Sequence, residues 1–361
     1  MRKHKKFWRT TAAVLLSAIV LCTVGYFVGG IGTPRAATEY RKCLANTAET
    51  AARAVRGAVK SDNNYENYQP IADIPETENG YIPQGYCFCE ALNAFVISYY
   101  HAENASILSF TDKEIGEHTK TLYLQNADGT PFRGHAGGVA DDTEYLYLCE
   151  DHSIFRIPLS EIAARANGAV LTLREQMMTD VKCSYINCDG AFLYAGEFYT
   201  YYADARYGTD KTHHMQISMN ELHFSRCNVY RLADVQNAFS DTPAAPAVPA
   251  FALTTPNLVQ GFARLSDGTF ALSTSYGRNT DSHLLHFADV TKGESAYQIT
   301  YLNEDIPVYS LSKDAQTECL RLPPLLEGID SDGVQITGIF ESGAQKYSNG
   351  KFPVNAICAL G

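Results

Sequence analysis

Tryptophan is almost missing from this 361-residue chain: one Trp, at position 8, stands against 23 Tyr and 17 Phe. No Cys-x-x-Cys pair occurs, which removes the usual zinc-ribbon spacing. A G-x-S-x-G elbow, an H-E-x-x-H helix and a glycine-rich loop closed by Lys-Ser/Thr are all absent, so the best-marked nucleophile, zinc-protease and phosphate-loop chemistries have no support. The segment Arg133–Gly138 packs three glycines around His135, but without that lysine. His213 and His214 are adjacent rather than four apart, so they make no helical metal pair. Basic residues are scarce beyond the start. The net charge is −11, and five of the Lys and Arg lie in the first nine residues, so everything after them is more acidic still. Such a surface argues against nucleic acid and against anionic lipid as partners.

What is present at the N-terminus is a membrane signal. After Arg2, Lys3, Lys5, Lys6 and Arg9, residues 10–34 contain no charge, and the apolar run from Ala12 to Ile31 suffices for a hydrocarbon core of about 30 Å. The charge order predicts a cytoplasmic basic tail (1–9), a transmembrane helix (10–34) and an extracytoplasmic remainder, a single-pass signal-anchor arrangement at the cell membrane. The alternative is secretion after signal cleavage. The exit, Gly32-Thr33-Pro34-Arg35-Ala36-Ala37, places Pro or Arg where a small residue is wanted, which favours the uncleaved anchor. Residues 38–60, Ala-rich and free of Pro, read as a helical stalk.

Nine of the ten cysteines lie outside the apolar run, an odd number, so at least one is unpaired or pairs with another molecule. Cys183 and Cys188 are spaced for a bridge across a turn.

From position 84 to 361 the sequence repeats. Five segments, starting at Gly85, Gly138, Ser184, Gly261 and Gly328, each run into apolar strands. Three carry Asp-Gly at the turn, at Asp189-Gly190, Asp267-Gly268 and Asp332-Gly333, a hairpin signal because Gly accepts positive φ. Each is followed by a further short strand, within 106–110, 153–157, 228–232, 283–287 and 355–360. Two of these lead into short helices, 158–166 and 233–238. Insertions occupy 204–222 and 242–256. Periods of this size built of short strands predict an all-β fold, a β-propeller of five to seven blades, with a β-sandwich as the alternative.

In such a fold the residues just before each repeat start face the central channel. These are Gln84, Gly137, Cys183, Gln260 and Glu327, with His135 nearby, and they are the candidate polar site. The ends of the second strands gather Tyr99, Glu197, Tyr276, Arg278 and Glu341, a mixture suited to a polar small molecule, a carbohydrate or a protein partner.

The strand–turn–strand repeats opened by Gly85, Gly138, Gly261 and Gly328 resemble exported bacterial β-propellers, broadly the gluconolactonase/strictosidine-synthase-like and YVTN-repeat groups. That resemblance covers about residues 84–361. It implies a fold, and for the lactonase-like enzymes a divalent ion in the channel held by Glu, Asn and Asp. Glu327 is the matching residue here, and Ca²⁺ the implied ion; Gln84, Cys183 and Gln260 depart from the pattern. Two functions follow as expectations: an anchored extracytoplasmic propeller that binds a polar ligand or partner, or a metal-dependent hydrolase or lactonase.

Overall fold

A computed structural model describes residues 65–201, 207–243, 245–333 and 335–361. The basic tail, the apolar segment 10–34 and the stalk 38–60 lie outside the described residues. Among those that are described, no helix is long and apolar enough to cross a membrane.

Residues 65–215 and 223–361 form one compact unit of five repeat units, mostly antiparallel, built from sheets of five, eight, four and four strands, with the second and third units sharing the eight-stranded sheet. The first is the meander Ile82–Cys89, Ala94–Tyr100, Ile107–Asp112 and His118–Asn126, with Val170–Leu173 added in parallel at its outer edge. The second begins with Gly138–Asp141 and continues through Tyr145–Pro158, which bends at Asp151 (φ 48°), onto the first half of Glu175–Cys188. The second half of that strand opens the third unit, followed by Phe192–Glu197, Ser225–Arg231 and Phe251–Thr255. Val259–Arg264, Phe270–Thr274, Ser282–Phe287 and Gln316–Leu322 form the fourth. The fifth takes Leu326–Ser331, Ile336–Phe340 and Ala356–Leu360 from the last part of the sequence and Tyr68–Asp73 from the start of the described residues, with Tyr68 opposite Leu360. This pairing joins the strand that leads into the first unit to the last unit. Residues 216–222 are grouped apart from this unit and carry the turn between Met215–Ser218 and Glu221–His223, where Gln216 Nε2 donates to the Glu221 carbonyl (3.0 Å).

The leading strands pack side by side in cyclic order: the first touches the second and the fifth, and each of the others touches its two neighbours. Successive side chains of a strand point to opposite faces, and here both faces are covered. Tyr86 enters the core shared with the fifth unit, while Cys87 enters the core shared with the second. Val139 and Ala140, Tyr185 and Ile186, and Phe262 and Ala263 divide in the same way. Five separate apolar clusters thus fill the five interfaces. This is the physical reason that the strands read as continuous apolar runs rather than alternating ones, and the result is an all-β, propeller-like ring rather than two stacked sheets.

The repeat starts mark closest approach. A Cβ on Gly85 would lie 2.5 Å from Gly138 Cα, and one on Gly138 2.6 Å from Ile186 N. One on Gly261 would lie 2.7 Å from Glu327 O, and one on Gly328 2.6 Å from Tyr86 N. The expected bridge between Cys183 and Cys188 is not formed. Both are free thiols on one extended strand and pack against the same core, but five residues of strand at ~3.3 Å rise hold them roughly 16 Å apart, beyond the reach of a disulfide.

Candidate functional site

The five residues preceding the close-approach positions come together at one end of the leading strands. Gln84, Gly137, Cys183, Gln260 and Glu327 all line a cavity of about 690 Å³. The same regularity of the repeats that brings the strands into contact therefore presents five equivalent side-chain positions to one space. His135, Tyr276, Arg278 and Glu341 line it too, with Tyr100, Phe198, Tyr207, Lys182, Lys346 and Tyr347.

The floor holds two carboxyl groups, Glu327 and Glu341, 4% and 7% exposed. Gln260 Nε2 donates to Glu327 Oε1 (2.9 Å), and Gln84 Nε2 donates to Glu341 Oε1 (2.5 Å). Burial, the charge of Glu341 and a hydrogen bond between the two carboxyls hold Glu327 well above the ordinary carboxyl range. Burial also raises Glu341, opposed by the amide of Gln84, the charge of Lys346 and hydrogen bonds from Tyr347 and Glu327. Two adjacent carboxylates cannot both ionise cheaply away from water, so the pair favours a shared proton, held more firmly by Glu327.

Aromatic side chains form the walls. Tyr100 stacks on His135 (centroids 4.6 Å, 19°), and Phe198 lies against Tyr207 (5.7 Å) and Tyr276 (6.2 Å). Two cations stand at one side. Lys346 Nζ donates to Tyr100 Oη (2.6 Å), and Arg278 donates to Asn349 Oδ1 (2.5 Å) with its guanidinium 5.3 Å from the Tyr347 ring centre.

Two expected ligand residues lie elsewhere. Tyr99 is fully buried in the core between the first and fifth units, its hydroxyl bonded to Ser109 (2.9 Å). Alternation along the strand hands its place at the cavity to Tyr100. Glu197 (1% exposed) is displaced because the pairing register shifts between Gly196 and Glu197. Its carboxylate accepts from the backbone N–H of Lys182 (3.2 Å) and of Arg226 (3.1 Å), and from His213 Nδ1 (2.9 and 3.0 Å). His213 Nε2 lies 3.5 Å from Asp180, which also accepts from Arg226 and Asn228. Glu197 thus fixes the inserted segment that includes Tyr207 and His213, rather than facing a ligand. Lys346, Tyr347 and Tyr207 lie in segments outside the repeats, so the periodicity that found Gln84 and Glu327 carried no signal for them.

A divalent ion fits this floor poorly. Among the described residues no three of His, Cys, Asp and Glu gather as metal ligands. The two carboxyls that are present share a proton, the amide N–H groups of Gln84 and Gln260 face them, and Lys346 stands close enough to lower Glu341. Calcium sites present several ionised or carbonyl oxygens instead. The expectation of Ca²⁺ on Glu327 is therefore set aside.

The far ends of the same strands carry a second acidic group. Asp330 accepts from Phe88 N (3.0 Å) and Asn187 Nδ2 (3.1 Å), and burial raises it to about 7; burial raises Asp141 to about 6. With folded values above the unfolded ones, Asp141, Asp330 and Glu327 contribute stability that is complete below about pH 4 and lost as pH rises through the folded values. Thermal melts should therefore show stability falling between pH 5 and 8. Glu327→Gln, a neutral stand-in for the protonated acid, should melt no lower than the parent at pH 8 and show a shallower decline. A steeper decline in the variant would contradict the shared-proton assignment.

No family model matches the chain, and no curated protein does. Solved structures are similar at low identity. The glutaminyl cyclase of Myxococcus xanthus is 11% identical, with a TM-score of 0.42 over 82% of this chain and 97% of that one. The PQQ-bound aldose sugar dehydrogenase of Streptomyces coelicolor is 12% identical, with a TM-score of 0.43 over 82% and 96%. A gluconolactonase of Xanthomonas campestris is 10% identical, with a TM-score of 0.36 over 81% and 88%.

Proposed function

We propose that this protein is a membrane-tethered, extracytoplasmic propeller that binds a small polar molecule bearing a carboxylate or similar anionic group. The basic start and the uncharged segment 10–34 support the tether and its orientation. The observation that carries the ligand reading is the pairing of Arg278 and Lys346 with neutral partners, Asn349 and Tyr100, at the edge of an aromatic-walled cavity. An anion there would gain charge-assisted hydrogen bonds without breaking an ion pair of either group among the described residues. The tyrosines supply flat contact for the ligand body.

The test is a melting panel with small carboxylates, sugar acids, neutral sugars, Ca²⁺ and EDTA. A ligand that binds only the native state raises Tm with concentration. Carboxylated ligands are expected to raise it, and the double change Arg278→Ala with Lys346→Ala to weaken that response about tenfold or more. Equal stabilisation by neutral sugars, or none by any anion, would remove the anionic-ligand reading. EDTA and Ca²⁺ are expected to leave Tm unchanged, and a Ca²⁺-specific rise would restore the metal-dependent hydrolase.

A further inference from the structure

We infer that Glu327 and Glu341 are an acid–base pair that hydrolyses a carboxylic ester bound in the cavity, Glu341 activating the water and Glu327 protonating the carbonyl oxygen. This rests on the cavity reading above and adds a reaction to it.

Three features of the pair support the assignment. Both carboxyls are almost fully buried and yet line the cavity, so a molecule bound there reaches them. Each is held by its own glutamine. Gln260 occupies Oε1 of Glu327 and Gln84 occupies Oε1 of Glu341, which leaves the second oxygen of each to carry or accept a proton. The pairing of Leu326 with Phe340 sets the two glutamates side by side at the ends of neighbouring strands, both lining the cavity. Two carboxyls sharing one proton are the arrangement of acid–base attack by water on a carbonyl. The groups facing the pair are Lys346, Tyr347 and Tyr100.

The step balances without a further reactant. The oxygen of water attacks the carbonyl carbon while Glu341 takes one of its protons and Glu327 gives its own to the carbonyl oxygen, leaving a neutral tetrahedral diol. The bond from carbon to the ester oxygen then breaks. Glu327 takes a proton back from one hydroxyl, Glu341 gives its proton to the departing oxygen, and acid and alcohol leave with the shared proton restored.

The test uses purified full-length protein and two probes. The first is 1,2-epoxy-3-(4-nitrophenoxy)propane, whose ring opens when a carboxylate attacks carbon and a neighbouring acid protonates the oxygen. The second is 4-nitrophenyl hydrogen succinate, an ester with an aromatic ring for the tyrosine walls and a carboxylate for Arg278 and Lys346. Expected results are one ester adduct, located on Glu341 by mass spectrometry, and ester turnover with a bell-shaped pH profile. Glu327→Gln should reduce both rates about 100-fold, and Glu341→Gln should abolish the adduct. The melting temperature of Glu327→Gln at pH 8 reports that this variant is folded. Adducts scattered over exposed carboxylates, or equal rates in parent and Glu327→Gln, would overturn the inference. Succinate that raises Tm without any labelling of Glu341 would do so too, while leaving the cavity reading intact. Labelling of Glu341 that succinate cannot block would instead remove the anion reading and keep the pair.

Discussion

His213→Ala is expected to destabilise the protein by about 3–5 kcal/mol, the usual cost of leaving one partner of a buried ion pair alone. His213 is 2% exposed, its Nδ1 donates to Glu197 and its Nε2 faces Asp180. Burial works against the imidazolium, but the hydrogen bonds to Asp180 and Glu197 outweigh it and raise the pKa above the ordinary histidine value, despite repulsion from Arg226. The variant leaves the Glu197 carboxylate with two backbone N–H groups and no cation at its oxygens. A folded pKa above the unfolded one gives stability that is complete below about pH 6.5 and is lost as pH rises through the folded value. The difference between parent and variant should therefore be largest in mildly acidic buffer and narrow as pH rises. Denaturant unfolding at several pH values measures it; a difference that widens with pH would mean that His213 is neutral in the fold.

Gly85→Ala is expected to cost about 3 kcal/mol or more, at the upper end of what overpacking costs. The added Cβ would meet Gly138 Cα and Val139 N, both at 2.5 Å, and real Cβ atoms essentially never come within 3.0 Å of another heavy atom. Those atoms belong to the backbone of the neighbouring leading strand, so relief requires the first and second units to move apart. That movement would open the core holding Cys87, Val139 and Leu148. Gly293→Ala is the control, since a Cβ there meets one carbonyl oxygen at an ordinary 3.8 Å with no positive φ to strain it. Equal melting temperatures for Gly85→Ala and Gly293→Ala would show that the leading strands are not in contact.

The repeat pattern was legible because one physical requirement is met five times. Each unit needs a strand buried on both faces and a small residue where its neighbour crosses, and the starts at Gly85, Gly138, Ser184, Gly261 and Gly328 record that need in the chain. The Asp-Gly turns were legible for a local reason. Gly190, Gly268 and Gly333 take φ of 83°, 89° and 86°, and Asp189 and Asp267 accept from the backbone N–H two residues on. Because the starts are equivalent, the residues before them had to share one end of the ring, which is how Gln84, Gln260 and Glu327 could be named together. The acidic net charge argued against nucleic acid and anionic lipid as partners and carried no signal for Arg278 and Lys346, which the cavity sets beside its acid pair.

Composition, spacing and turn chemistry by themselves determined an all-β repeat architecture, the direction of the N-terminal charge, and the ring of positions at the mouth of the leading strands. These depend on properties that recur at fixed intervals along the chain. The tertiary structure alone decided that Tyr100 rather than Tyr99 faces the cavity, since one residue of register reverses a strand's faces. It alone turned Glu197 into the anchor of an inserted segment, through a register shift that leaves no mark in composition. It alone set Glu327 against Glu341, fourteen residues on and across a hairpin, where burial forces the two carboxyls to share a proton.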